Sequence, residues 1–140
     1  MKLFLDTSVL LAASGSAKGA SRFVFQHARA HGWRLLTSSY CVEETDRNAR
    51  KLGPKATPYW RASLLPELTL VPIELAFDKV LVFPKAKDRP VLLSALGAEA
   101  DVLLTLDEID FQNVIGKQVY SLQIRSPGQF LNGQRAIGLI

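Results

Sequence analysis

Close to its N-terminus the chain carries the apolar run Leu3-Phe4-Leu5, one carboxylate at Asp6, and then at once the hydroxyl pair Thr7-Ser8 followed by Val9-Leu10-Leu11. The first run is short enough for a strand, and the second resumes as the start of a helix. Strand, acid and helix follow one another without a linker, the arrangement expected in an open α/β sheet. In such sheets ligands occupy the crevice outside the carboxyl ends of the strands. Asp6 therefore stands where chemistry usually happens, but an Asp or Thr at this point also serves simply to cap the helix that follows. The choice depends on whether other acids converge on the same sheet edge.

Further along, the expected order is a short helix over residues 9–14 and a second over 17–30. The second has Ala20, Phe23, Val24, His27 and Ala28 at helical spacing, with Lys18, Arg22 and Gln26 on another face. His27 and His31 lack the further ligands of a zinc pattern and read as one packed and one exposed residue. A strand over 33–37 leads to Ser38-Ser39, which caps a helix over 40–52 stopped by Gly53-Pro54. On that helix Cys41, Thr45, Ala49 and Leu52 form the stripe expected to be buried. Glu44 borders it, whereas Glu43 points away and can pair with Arg47. A helix over 54–65 and a strand over 68–73 follow, while residues 74–87 are the least readable, with Val80-Leu81-Val82-Phe83 either a strand or the end of a short helix broken before Pro84.

From Asp88 the periodicity returns. Val91, Leu92, Ala95, Leu96 and Glu99 have helical spacing, with Pro90 in the first turn and Asp88 at the helix start, where a cap is the ordinary explanation. The buried run Val102-Leu103-Leu104-Thr105 then delivers Asp107 and, three residues later, Asp110. A last strand over 119–122, a short helix from Ser126-Pro127 through Leu131, and an apolar tail expected to pack somewhere complete the chain.

The 140 residues suit a single domain spanning 1–140. The lone Cys41 offers no internal disulfide, and no run reaches the length of a signal h-region or a bilayer span, so the expectation is a soluble cytoplasmic protein with no membrane association. Seventeen Lys and Arg against thirteen Asp and Glu give a net charge of +4, which favours a polyanionic partner. Arg47, Arg50 and Lys51 follow Glu44, and Lys85, Lys87 and Arg89 flank Asp88. Both sets are candidates for phosphate contacts, although a solvated surface would look the same.

Alternating strands and helices predict a three-layer α/β/α architecture with a mostly parallel central sheet. In that topology Asp6 and Asp107 leave strand ends on one edge, and Glu44 and Asp88 can lean toward them from helices. Four carboxylates repel one another unless protons or cations compensate, and oxygen-only ligands suit Mg²⁺ or Mn²⁺ rather than zinc. A hard cation on a basic protein points to phosphodiester hydrolysis.

Leu3-Phe4-Leu5-Asp6-Thr7-Ser8, Thr37-Ser38 with Glu44 six residues on, Asp88 opening its helix, and Ala100-Asp101-Val102-Leu103-Leu104-Thr105-Leu106-Asp107 together resemble the successive acidic motifs of PIN domains. Ser126-Pro127-Gly128-Gln129-Phe130-Leu131 is similar to the closing helix motif of one bacterial branch. The resemblance implies a PIN-like fold and a Mg²⁺- or Mn²⁺-dependent endoribonuclease acting on RNA, often a VapC-like toxin with a cognate antitoxin protein, and frequently a homodimer. It assigns catalytic metal binding to Asp6, Glu44, Asp88 and Asp107, and leaves Asp110 as a further candidate ligand. Lys87 stands where relatives often carry another acid.

A haloacid-dehalogenase-like phosphatase would need an Asp at position 8, which is Ser8. A receiver domain would need an Asp near Ile73 and a Lys near Leu122, and neither is present. The remaining alternative keeps the fold and the acids but only holds RNA or a protein.

Overall fold

Leu3, Phe4 and Leu5 are completely buried, as are Leu103 and Leu104, and this burial makes their two strands the centre of the protein. The computed structural model describes residues 1–72, 90–107, 116 and 118–140, and the backbone of Arg89. Strand β1 (Lys2–Leu5) leads through α1 (Thr7–Gly15) and α2 (Ala20–His31) to β2 (Arg34–Ser38). Helix α3 (Ser39–Asn48) continues into a 3-10 turn (Ala49–Leu52), followed by α4 (Ala56–Tyr59), a π-helical stretch (Trp60–Leu64) and a second 3-10 turn (Leu65–Glu67) before β3 (Thr69–Val71). The second half comprises α5 (Arg89–Gly97), β4 (Val102–Leu104), β5 (Gln118–Val119), β6 (Leu122–Arg125) and α6 (Pro127–Ala136).

Among the described residues the strands form one sheet in the order β3-β2-β1-β4-β6-β5, parallel except for the β5–β6 pair. Helices flank it, as the alternating pattern predicts. Strands buried on both faces read as continuous apolar runs, which is why β1 and β4 lack polar alternation. Pairing of Leu3 with Val102 and Leu5 with Leu104 sets β1 beside β4. At the amino-terminal edge Asp101 fixes this register: its carboxylate accepts from Lys2 N–H at 2.7 Å, and its own N–H donates to the Lys2 carbonyl at 2.8 Å.

The sheet winds in opposite directions on the two sides of this central pair. From β1 the chain steps to β2 and β3, whereas β4 is followed on the other side by the edge strand β5 and then by β6, which pairs with β4. The carboxyl ends of β1 and β4 therefore flank a topological switch point, the crevice where ligands bind in open α/β sheets. Asp6 begins there, tied by its N–H to the Leu104 carbonyl at 3.0 Å.

Several sequence expectations are corrected. The strand expected over 119–122 is a hairpin, with Tyr120-Ser121 turning between β5 and β6 and Tyr120 at φ 52°. Helix α6 passes through Gly133 to Ala136, because the capping box of Ser126 and Gln129 starts it firmly and Phe130, Leu131 and Gln134 bury one face. Of the apolar tail, Ile140 packs on the core while Ile137 and Leu139 are exposed.

Leu52, expected in the buried stripe, is exposed because the helix tightens to 3-10 geometry before reaching it, and its side chain lies over Gly15. The single helix expected over 54–65 is divided into α4 and the π-helical stretch, where buried Trp60 donates from Nε1 to Asp46 at 2.8 Å. Arg22, expected on a different face from the apolar residues of its helix, is buried. Its Nε donates to the Ala13 carbonyl at 2.7 Å and its Nη2 to the Ser14 carbonyl at 3.2 Å, satisfying carbonyls that the end of α1 leaves open. His27 and His31 are half-buried and exposed, as expected, and lie in an aromatic ladder running from Phe23 to Trp33.

Candidate active site

Asp6 occupies the N-cap position of α1, with extended backbone, yet its side chain makes no capping hydrogen bond. The carboxylate turns instead toward β4. Its Oδ2 accepts from the Ser8 hydroxyl at 2.9 Å and from the Thr105 hydroxyl at 2.8 Å. Each hydroxyl is itself held in place, since Ser8 Oγ accepts from Leu106 N–H at 2.9 Å and Thr105 Oγ1 accepts from Asp107 N–H at 3.1 Å. Asp6 and the segment carrying Asp107 are thus joined through two hydroxyls.

Thr7 is not a cap either. Its hydroxyl donates to Glu44 Oε1 at 2.8 Å, drawing the second turn of α3 to the start of α1. Helix α3 is capped by Ser38, whose hydroxyl accepts from Cys41 N–H, and Cys41 is fully buried. Burial pushes the Cys41 thiol up, and the nearby Asp6 charge adds to that rise. Glu44, one turn beyond Cys41, is half-buried while Glu43 is exposed, in agreement with the helix phase read from the sequence.

Asp6 itself is only 6% exposed. Burial raises its carboxyl above the ordinary value, and the charge of Asp107 pushes the same way. Hydrogen bonds from Thr105, Ser8 and the Thr7 N–H oppose this without cancelling it. A cation beside Asp6 and Asp107 would relieve both the desolvation and the repulsion, and an all-oxygen donor set suits a hard divalent ion. Among the described residues, no group of three or more acids, histidines or cysteines is close enough to hold a metal. Asp6, Asp107 and Glu44 therefore do not form a metal site by themselves: Asp6 is tied to the Asp107 segment through Ser8 and Thr105, and Glu44 to the start of α1 through Thr7.

Asp88 and Asp110 lie outside the described residues, as do Lys85, Lys87 and the Arg89 side chain. Arg47, Arg50 and Lys51 are exposed, with Lys51 Nζ donating to Asn48 Oδ1 at 3.0 Å. In the sequence Thr7 and Ser8 stand as helix-opening residues and Thr105 as part of a strand. The available signal was their position, with each hydroxyl within two residues of a candidate acid.

A family model for the PIN domain matches residues 2–108. The chain belongs to the PIN domain family. The match takes in Asp6, Glu44, Asp88 and Asp107 and stops short of Asp110, so the family relationship covers the switch-point crevice and both of its central strands. PIN domains are in general nucleases, hydrolases that typically use divalent metals. No curated protein and no solved structure is significantly similar to this PIN domain. Among the described residues, no helix is long and apolar enough to cross a membrane.

Proposed function

We propose that this PIN domain is a Mg²⁺- or Mn²⁺-dependent endoribonuclease. The observation that carries the reading is the buried Asp6 carboxylate, released from helix capping and held beside Asp107 by Ser8 and Thr105. A carboxylate this deeply buried is costly unless it is compensated, and a divalent cation supplies that compensation. Asp6, Glu44, Asp88 and Asp107 are the proposed ligands, with Asp110 contributing through water or at a second ion.

The bound cation would activate water and neutralise charge on the scissile phosphate. The protein's own contribution is positional. Ser8 and Thr105 orient the Asp6 carboxylate by donating to Oδ2, and Thr7 fixes Glu44. All three hydroxyls sit at the ends of rigid elements, where a site is better pre-organised than on a free loop. Arg47, Arg50 and Lys51, exposed beyond Glu44, are proposed phosphate contacts, together with Lys85, Lys87 and Arg89.

The resemblance to VapC-like proteins supports a toxin role, with a cognate antitoxin and a homodimeric state as parts of the same proposal. The test is cleavage of single-stranded RNA, single-stranded DNA and duplex RNA in Mn²⁺, with and without chelator. Chelator-sensitive internal cleavage of RNA supports the reading, and RNA binding without cleavage would leave a binding module.

A further inference from the structure

The thirteen acids are unevenly distributed. None occurs in residues 7–42, in 47–66, or after Asp110. These acid-free stretches build α1, α2, α4 with its π-helical extension, and α6, and these elements pack on one another.

The turn at residues 16–19, between α1 and α2, separates two clefts in this region. Ala17 lines one of about 250 Å³, together with Arg22, Lys55 and Tyr59. Its neighbour Lys18 lines the other, of about 220 Å³, together with Arg135. Consecutive residues of one turn thus wall two cation-lined clefts.

Arg22 is the unusual member. It is only 9% exposed, and its guanidinium is fixed by the Ala13 and Ser14 carbonyls and by the Tyr59 ring, 3.8 Å from the centroid. Among the described residues, no carboxylate forms an ion pair with Arg22, Lys18, Lys55 or Arg135. A buried charge without a counter-charge is costly, and an anion in the cleft would supply one. Two such clefts side by side suit a chain of anions better than a single ion.

We propose that the clefts on either side of this turn hold successive phosphates of single-stranded RNA, as an extension of the active site. The proposal rests on the nuclease reading for its choice of polyanion. Helix α1 starts beside Asp6 and ends at the turn, nine residues on, which places the clefts about 13 Å from the acids. A strand cut near Asp6 would have to continue for a few nucleotides to reach them. Short RNA should therefore be indifferent to these cations and longer RNA should depend on them.

The test compares the parent protein with Lys18→Gln/Lys55→Gln/Arg135→Gln, three exposed positions away from the proposed metal ligands. Binding is measured by fluorescence anisotropy, without cleavage, for oligoribonucleotides of about 4 and about 16 nucleotides over a range of salt. The variant should lose about 10-fold or more in affinity for the long RNA. Its salt slope should fall by about 2, at roughly 0.7 per lost contact, with the short RNA unaffected. Lys18→Arg/Lys55→Arg should keep the parent slope.

An unchanged slope, equal weakening for both lengths, or failure of the parent to bind RNA would each overturn the proposal. Equal weakening toward polyglutamate would also overturn it and assign the face to an acidic protein. Loss of long-RNA binding in a protein that cleaves nothing would sink the nuclease reading and leave these clefts standing.

Discussion

Thr105→Val removes one hydroxyl from the centre of the site while preserving its shape. In the parent that hydroxyl donates to Asp6 Oδ2 at 2.8 Å and accepts from Asp107 N–H at 3.1 Å. A hydrogen bond to a charged group contributes about 1.5–3 kcal/mol, and one to a neutral group about 1 kcal/mol. The Asp107 N–H is partly exposed, so water can replace its lost partner and the added cost should be no more than about 1 kcal/mol. The substitution should therefore cost about 2–4 kcal/mol when Asp6 is ionised and about 1–2 kcal/mol when it is protonated.

The sign of the pH dependence follows from the raised Asp6 carboxyl. Between its unfolded value of 3.8 and its higher folded value, the folded protein binds more protons than the unfolded chain, so stability falls as pH rises through that window. Removing the Thr105 donor raises the folded value further and steepens the loss. Urea unfolding of parent and variant, in chelator, at about pH 4 and about pH 8 measures both costs. A cost that is equal at the two pH values, or larger in acid, would refute the claim that Thr105 stabilises an ionised Asp6.

Three further outcomes are expected. Glu44→Gln should reduce RNA cleavage by about 100-fold or more, as loss of a group directly at the reacting centre does, and Glu43→Gln should change it little; steady-state rates decide, and sensitivity at Glu43 would show the helix phase to be wrong. Asp107→Asn should weaken Mn²⁺ binding in calorimetric titration more than Asp110→Asn, because Asp107 is tied to β4 through Thr105, and the reverse order would transfer the ligand role. Arg22→Met should destabilise the fold by about 2–4 kcal/mol in urea unfolding, since two carbonyls at the end of α1 lose a charged donor; a cost below about 1 kcal/mol would mean that water replaces the guanidinium without loss.

The central strands and the acids at their ends were legible because short, continuous apolar runs interrupted by a carboxylate have few other readings in a soluble chain. Glu44 was legible from helix phase alone, since Cys41 and Thr45 fix which side of α3 is buried. The roles of Thr7, Ser8 and Thr105 were not. A hydroxyl beside an acid has the same local signature whether it caps a helix or orients a carboxylate, and only the approach of β4 to β1 distinguishes the two. The burial of Arg22 is hidden for a similar reason. Helical periodicity assigns a charged residue to the outside, and the carbonyls that draw it inward belong to another helix. The β5–β6 hairpin was missed because Tyr120 adopts positive φ without glycine or asparagine to announce it.

The most direct measurement is RNA cleavage in Mn²⁺ by the parent and by Asp6→Asn, each with and without chelator, alongside thermal melting. The account predicts chelator-sensitive cleavage by the parent, no cleavage by the variant, and a variant at least as stable as the parent, because the buried charge opposing the fold has been removed. Full cleavage by a folded Asp6→Asn protein, or parental cleavage unaffected by chelator, would contradict it.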